Sequence, residues 1–434
     1  MLAPERIDYR FAGGDIPLPR MFRARQLFSR ERLEDIENMV AAELDRKIPE
    51  GMVAGKRIAL TAGSRGVANQ ARILKAVADN LKAKGARPFI VPGMGSHGGA
   101  TAEGQRELIA GYGITEEAVG VPILSSMEVN RLGTTASGFP VYCDRNAFEA
   151  DFILPVHRVK PHTDFKGDIE SGLCKMMVIG LGKHQGATHI HRLGLSVFSS
   201  LIPEAAQIFL DSGKVLGGVA VVENAYDETM LIEAIRPENI IAREKILLAK
   251  AKEAMAKFYL DSIDVLVVEE VGKDISGAGM DSNVTARPVT GEPGFEACPI
   301  KRIALLGITR QSHGNGIGLG VADVVTNDFI KQLDLAATYI NALTSRGLEA
   351  IRIPMIANSD MDAIKVCIHC GHGVEPATAK IVQIADTLRL SELSLSEPYL
   401  ESIRNDRRFE ILSEPRPIRF DEHGRLARLD EGEG

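Results

Sequence analysis

The strongest constraint on the fold is a block that occurs twice near the start of the chain: a short apolar run, a glycine-rich polar loop, then helical sequence. Arg57–Leu60 runs into Thr61-Ala62-Gly63-Ser64-Arg65-Gly66, and alanine-rich helical sequence continues to about Lys84. Pro88–Val91 then runs into Pro92-Gly93-Met94-Gly95-Ser96-His97-Gly98-Gly99, after which Thr101 is placed to cap a helix ending near Gly111. Strand, loop, helix and strand in this order specify a parallel sheet, because parallel neighbours need a crossover and a helix supplies it. The pattern returns late in the chain. Val265–Val268 and Ile303–Leu306 are continuous apolar runs suited to strands buried on both faces, and Leu333–Leu343 has a helical period. Lys56-Arg57-Ile58-Ala59-Leu60 even recurs as Lys301-Arg302-Ile303-Ala304-Leu305, each followed by a loop of Gly, Thr and Arg.

The expected architecture is therefore α/β, with two domains (1–259 and 260–434), each a mostly parallel sheet flanked by helices, and an active site in the cleft between them. A chain of 434 residues exceeds the ~250–300 at which single cores stop growing. Aromatic residues are only 5% and Trp is absent, so aliphatic side chains and Ala must fill both cores. Further expectations are a helix over Leu33–Leu44, a long helix over Pro237–Leu260 bridging the domains, and a charged, frayed tail from Ser413 onward. Met176–Ile179 suits a buried strand or a short core element.

Composition also limits function. The net charge of −7 gives no support to nucleic-acid binding, which depends on clustered positive charge. No run of about 20 apolar residues suggests a membrane span. Met1–Phe11 lacks the apolar core of a secretory signal, and five dispersed cysteines do not form a disulfide framework, so the expected compartment is the cytoplasm.

Three loops carry candidate chemistry, since ligands of parallel α/β sheets gather at the carboxyl ends of strands. Arg65 offers a planar fork for a carboxylate or phosphate. His97, set among glycines, can act as acid or base near neutral pH. The densest stretch runs from His157 through Pro161-His162 and Ser171-Gly172-Leu173-Cys174-Lys175 to His189-Ile190-His191. Lys160, Lys166, Lys175 and Lys183 compete as functional lysines, and Lys175 borders an apolar run whose desolvation would favour a nucleophilic amine. In extended backbone His189 and His191 would point the same way and could share a metal. In the second half, the loop Glu269–Asn283 and the loop Thr309–Gly316 are further candidates, with Lys273 able to pair with a substrate anion. Cys367 and Cys370 form a lone C-x-x-C, redox-active, half of a metal site, or simply packed.

The His97 loop, the Pro161-His162 pair, Lys175 and the histidines at 189 and 191, with Gly63-Ser64-Arg65 upstream, resemble the nickel-dependent lactate racemase family. The resemblance implies an isomerase that interconverts stereoisomers of a small-molecule 2-hydroxy acid, with a nickel-pincer nucleotide as cofactor, made by cofactor-biosynthesis proteins of the host. It implies that His97 and His162 are paired acid/base residues, that Lys175 carries the pincer, that His189 or His191 ligates nickel, and that Arg65 and Lys273 hold the substrate carboxylate. The match departs from the family pattern at Ser171-Gly172-Leu173-Cys174, where Gly-Gly-Arg commonly precedes the lysine. The interval from His162 to Lys175 is also longer, and Gly63 stands where an acidic residue is common. A longer or more polar hydroxy acid is therefore as open as lactate. A metal-dependent lyase or hydrolase without a pincer, and a non-catalytic metal- or anion-binding protein, are the alternatives.

Overall fold

Strand Arg57–Ala62 organises the first half of the protein, pairing in parallel with Arg87–Pro92 on one side and Phe152–Leu154 on the other. Side chains alternate along it, so one strand feeds two cores. Ile58, Leu60 and Ala62 pack with Ile73, Leu74 and Val77 of helix Gln70–Ala83, whereas Ala59 joins Phe89, Val91 and Ile153 in a second cluster. The computed structural model describes Ile7 and residues 16–430. It divides into one unit of residues 29–255 and another of residues 1–28 with 256–434. The expectation for Met1–Phe11 lies, Ile7 apart, outside the described residues.

Within the 29–255 unit, Pro155 separates strand Phe152–Leu154 from Val156–Arg158. Proline lacks the N–H that a continuous ladder needs. The Thr61 hydroxyl bridges the break, accepting from the Val156 N–H (3.0 Å) and donating to its carbonyl (3.3 Å). Val156–Arg158 then pairs in parallel with Gly218–Glu223, which pairs antiparallel with Thr229–Ile235. Thr101 caps helix Ala102–Ala110 as its sequence suggests, accepting from the Gly104 N–H.

The other unit is an 8-stranded sheet in the order Met355–Ala357, Val324–Thr326, Ile300–Leu305, Ile263–Val268, Ile381–Ile384, Glu392–Ser396, Met21–Gln26, Phe409–Ile411. The strands up to Ile381–Ile384 are parallel; the remainder add antiparallel. The apolar runs at Val265–Val268 and Ile303–Leu305 sit in its middle, essentially without exposure. Among the described residues no single helix is long and apolar enough to cross a membrane.

Four expectations need correction. Met21–Gln26, which falls within the expected first domain of 1–259, instead buries Phe22, Ala24 and Gln26 by alternation in the second sheet. The first helix is Ile36–Lys47, starting later because Asp35 caps it through the Asn38 N–H. The bridging helix is only Ile240–Ala254, and Leu247, Leu248 and Ala251 bury it in the core of the 29–255 unit. The tail is packed as far as Asp430: Leu426 and Leu429 are buried, and the Leu429 N–H donates to the Glu269 carboxylate (2.9 Å). Its last four residues lie outside the described ones.

Candidate active site

The Gly63–Gly66 and Gly93–Gly99 loops leave the same end of neighbouring parallel strands, and the segment Lys160–Ser171 follows Val156–Arg158 nearby. Close packing leaves little room for a Cβ at several glycines here. A Cβ on Gly93 would lie 2.4 Å from the Met176 sulfur, and one on Gly180 2.6 Å from the same atom. On Gly63 a Cβ would meet the His157 ring at 2.7 Å. Met176 is no strand residue: Met176–Gly180 is a π-helical turn continuing from Leu173–Lys175. Such turns interrupt the regular ladder and recur at functional sites.

His97 is exposed, and its Nδ1 is held by the Ser64 hydroxyl. The Ser64 carbonyl in turn accepts from the Tyr112 hydroxyl (3.1 Å). With Nδ1 engaged, proton exchange falls to Nε2. Ser64 thereby ties the His97 loop to Arg65, whose guanidinium is destabilised by burial and partly compensated by Tyr112 and Asp164.

His162 and Lys175, 13 residues apart, meet at 2.5 Å between Nε2 and Nζ. The longer interval is taken up by a loop closed at its neck, where Lys160 and Ser171 form a bridge. The buried Glu170 carboxylate holds it from within, accepting from the His162 N–H (2.7 Å), the Gly167 N–H (3.3 Å), Lys166 (3.3 Å) and Lys252 (2.7 Å). The His162 Nδ1 accepts the Asp164 N–H at 3.0 Å. A neutral imidazole that accepts at Nδ1 carries its proton on Nε2, so His162 donates to Lys175, and the lysine can accept only as a neutral amine. Electrostatics move the amine in that direction, though not to neutrality at pH 7. Desolvation, reinforced by Arg65 and Lys160 against the opposing Asp164, lowers Lys175 to about 8. Burial, and then the charges of Lys175, Lys160, Lys166 and Arg65, keep His162 well below its ordinary value.

Two neighbours complete the floor. His157 is lowered to about 3, chiefly by desolvation, and its Nδ1 is buried without a hydrogen-bond partner. Arg158 pairs with Glu223, which also accepts from the Ala68 N–H (2.6 Å) and so pins the far end of the Arg65 loop.

His189 and His191 are not in extended backbone. They sit in helix Lys183–Arg192, where positions two apart point to opposite sides, so they cannot share a metal through one face. His189 packs at a tilt against Tyr142 and bonds the Gln185 carbonyl (2.9 Å). His191 packs on Phe198, which packs on Phe165, which lies against the His162 ring at 4.5 Å. Among the described residues no group of three His, Cys, Asp or Glu side chains is placed to hold a metal.

In the other unit, the Lys273 ammonium bonds the Gly277 carbonyl (2.9 Å) and Asn341 (3.2 Å). Thr309 and Ser312 both donate to Asp274 (2.6 and 2.9 Å), so the polar atoms of those two candidate loops bind one another. Cys367 is buried and Cys370 exposed, and the five cysteines are unpaired. Cys367 packs in the core with Ala363, Ile364 and Val366, and burial raises its thiol.

Sequence reasoning missed Ser64, Glu170, Asp144 and Gln105. Lys183 was one lysine among several; it proves fully buried, with a left-handed φ of 51°. Only these oddities of environment distinguish it, and neither is visible in a string of residues.

Residues 29–200 match the family model of the lactate racemase N-terminal domain, beginning where the 29–255 unit begins. No curated protein matches the chain. The fold is similar to that of the lactate racemase apoprotein from Thermoanaerobacterium thermosaccharolyticum, with a TM-score of 0.52, 14% identity, and coverage of 85% of this chain and 99% of that one. Residues 29–200 are thus similar to a lactate racemase N-terminal domain, and the fold as a whole is similar to that of a lactate racemase.

Proposed function

We propose that the protein is a racemase or epimerase of 2-hydroxy acids that works with a nickel-pincer nucleotide. The observation that carries the reading is the His162–Lys175 contact, which sets a half-buried lysine, lowered to about 8, against an imidazole inside the matched domain. Two features suit such a group: that nucleophilic amine, and the buried His157 Nδ1 that lacks a partner. Lys175 would carry the group and His191 would be the chain's metal ligand, with the remaining donors coming from the cofactor. When bound, the cofactor supplies a two-electron acceptor for the reacting carbon, which a carboxylate-flanked C–H could not reach by simple deprotonation.

The chain's own residues do the rest. Arg65 holds the substrate carboxylate through paired hydrogen bonds, strengthened by its desolvation. His97 and His162 exchange the hydroxyl proton, one for each stereoisomer, since inversion demands proton handling from two sides. Lys273 is assigned to bracing its own loop, so carboxylate binding rests on Arg65. A metal-dependent lyase or hydrolase would need a cluster of protein ligands, and nothing observed favours it.

The test is protein made in a host that synthesises the pincer, assayed by peptide mass spectrometry and with single stereoisomers of a hydroxy-acid panel. The wild type should carry an adduct on Lys175 and interconvert at least one pair; Lys175→Ala should do neither. Full interconversion by Lys175→Ala, or neither adduct nor turnover in the wild type, would overturn the proposal.

A further inference from the structure

The helix that bears His189 and His191 begins at Lys183, a fully buried residue with a φ of 51°. Its ammonium donates to the Pro92 carbonyl and to Gln105 Oε1 (2.9 Å) and forms an ion pair with the Asp144 carboxylate (3.4 Å). Each partner belongs to a different element. Pro92 ends the strand that leads to His97, Gln105 lies in the helix after that loop, and Asp144 ends strand Pro140–Asp144. Gln105 relays the contact, because its amide donates to the Gly95 carbonyl (2.9 Å) and the His97 carbonyl (3.2 Å). The loop touches the same helix again at Gly98, where a Cβ would lie 2.6 Å from backbone atoms of Gly104 and Gln105.

We infer that Lys183, Asp144 and Gln105 form a buried clamp that positions the His97 loop, making all three positioning residues for the reaction. A left-handed non-glycine residue and a buried ion pair are both costly, and apolar side chains would fill the space at less expense. What this arrangement provides, and apolar packing could not, is directed hydrogen bonding to the backbone on both sides of Ser96. The His97 side chain is exposed and held at Nδ1 by Ser64, so where that grip can form depends on where the loop backbone is set.

The role of His97 in turnover rests on the racemase reading; the clamp itself does not. The test therefore begins with amide hydrogen exchange of residues 94–98 and NMR of the His97 ring, which need no activity. Lys183→Met alone would strand Asp144 without its partner, so the variants are Gln105→Met and the double variant Lys183→Met with Asp144→Leu. Both should stay folded at the assay temperature, with Tm lowered by the lost buried partners and, in the double variant, by loss of the Asp144 cap on the Ala147 N–H. Exchange at 94–98 should rise about tenfold or more relative to the rest of the 29–255 unit. Where interconversion is measurable, kcat should fall about tenfold at unchanged KM, with the Lys175 adduct still formed. Unchanged exchange in both folded variants overturns the clamp. Faster exchange in a protein without racemase activity leaves the clamp standing and removes only the functional reading.

Discussion

The two Lys-Arg-Ile-Ala-Leu strands are the same backbone device put to different ends. Both are flanked by parallel neighbours, and both feed a loop with an arginine at the same distance, Arg65 in one and Arg310 in the other. After the first strand, the polar groups point to a cluster of cations and histidines: Arg65 is desolvated and bears on His162 and Lys175, and Ser64 grips His97. After the second, Thr309 and Ser312 close on Asp274, the Lys273 N–H donates to Ser312 (2.8 Å), and Arg310 is exposed. A glycine-and-hydroxyl loop at a strand end thus shows where a site could lie. Whether its polar atoms are spent on each other decides where a site does lie.

The largest break in that comparison should come from the paired arginines. Arg65→Ala removes a desolvated guanidinium assigned to the substrate carboxylate, and kcat/KM for hydroxy-acid interconversion should fall about 100-fold, equivalent to roughly 2.7 kcal/mol. Arg310→Ala should change it by less than about twofold. Steady-state kinetics on both variants check this; equal losses would mean the second loop is not the self-satisfied one.

Asp274→Ala should act the other way. It deprives Thr309 and Ser312 of their shared acceptor in a half-buried cluster, which costs about 1–3 kcal/mol of stability. Turnover at a temperature well below Tm should be unaffected. Urea unfolding beside a kinetic assay separates the two effects, and a loss of turnover without loss of stability would place Asp274 in the site.

Much of the first loop system was legible in sequence. Local rules suffice for the Arg57 strand, the Thr101 cap and the glycine loops, because period, capping chemistry and backbone freedom act within a few residues. The histidine pair failed for a physical reason. Gly186, Thr188 and Ile190 weaken helix propensity, but burial of Gly186, Ala187 and Ile190 imposes a helix there, and a two-residue spacing then changes meaning. Glu170, Asp144 and Gln105 were unreadable because their partners are distant in sequence or fixed by backbone carbonyls. The His162–Lys175 meeting depends on a loop neck and a buried carboxylate, which no spacing rule encodes.

The smallest effect probes the support beneath Lys175. Glu244 is buried under Gly172, where a Cβ would fall 2.4 Å from its carboxylate, and its Oε2 accepts the Cys174 N–H (2.9 Å) at the start of the helix carrying Lys175. Its Oε1 has no partner, and desolvation raises it from 4.5 to about 7. A carboxyl raised on folding contributes stability that is complete below its unfolded value and is lost as pH rises through the folded one. The wild type should therefore lose stability between about pH 4.5 and pH 7 from this group. The shift sets a ceiling of about 3 kcal/mol, and relaxation of the buried site should leave on the order of 1 kcal/mol. Glu244→Gln keeps an acceptor for Cys174 but cannot ionise, so its Tm should be flatter across that window and higher than wild type at pH 8. A variant whose Tm tracks the wild type at every pH would show that Glu244 is already ionised at little cost in the folded protein, and that the buried charge beneath the first loop system is as well compensated as the Asp274 cluster beneath the second.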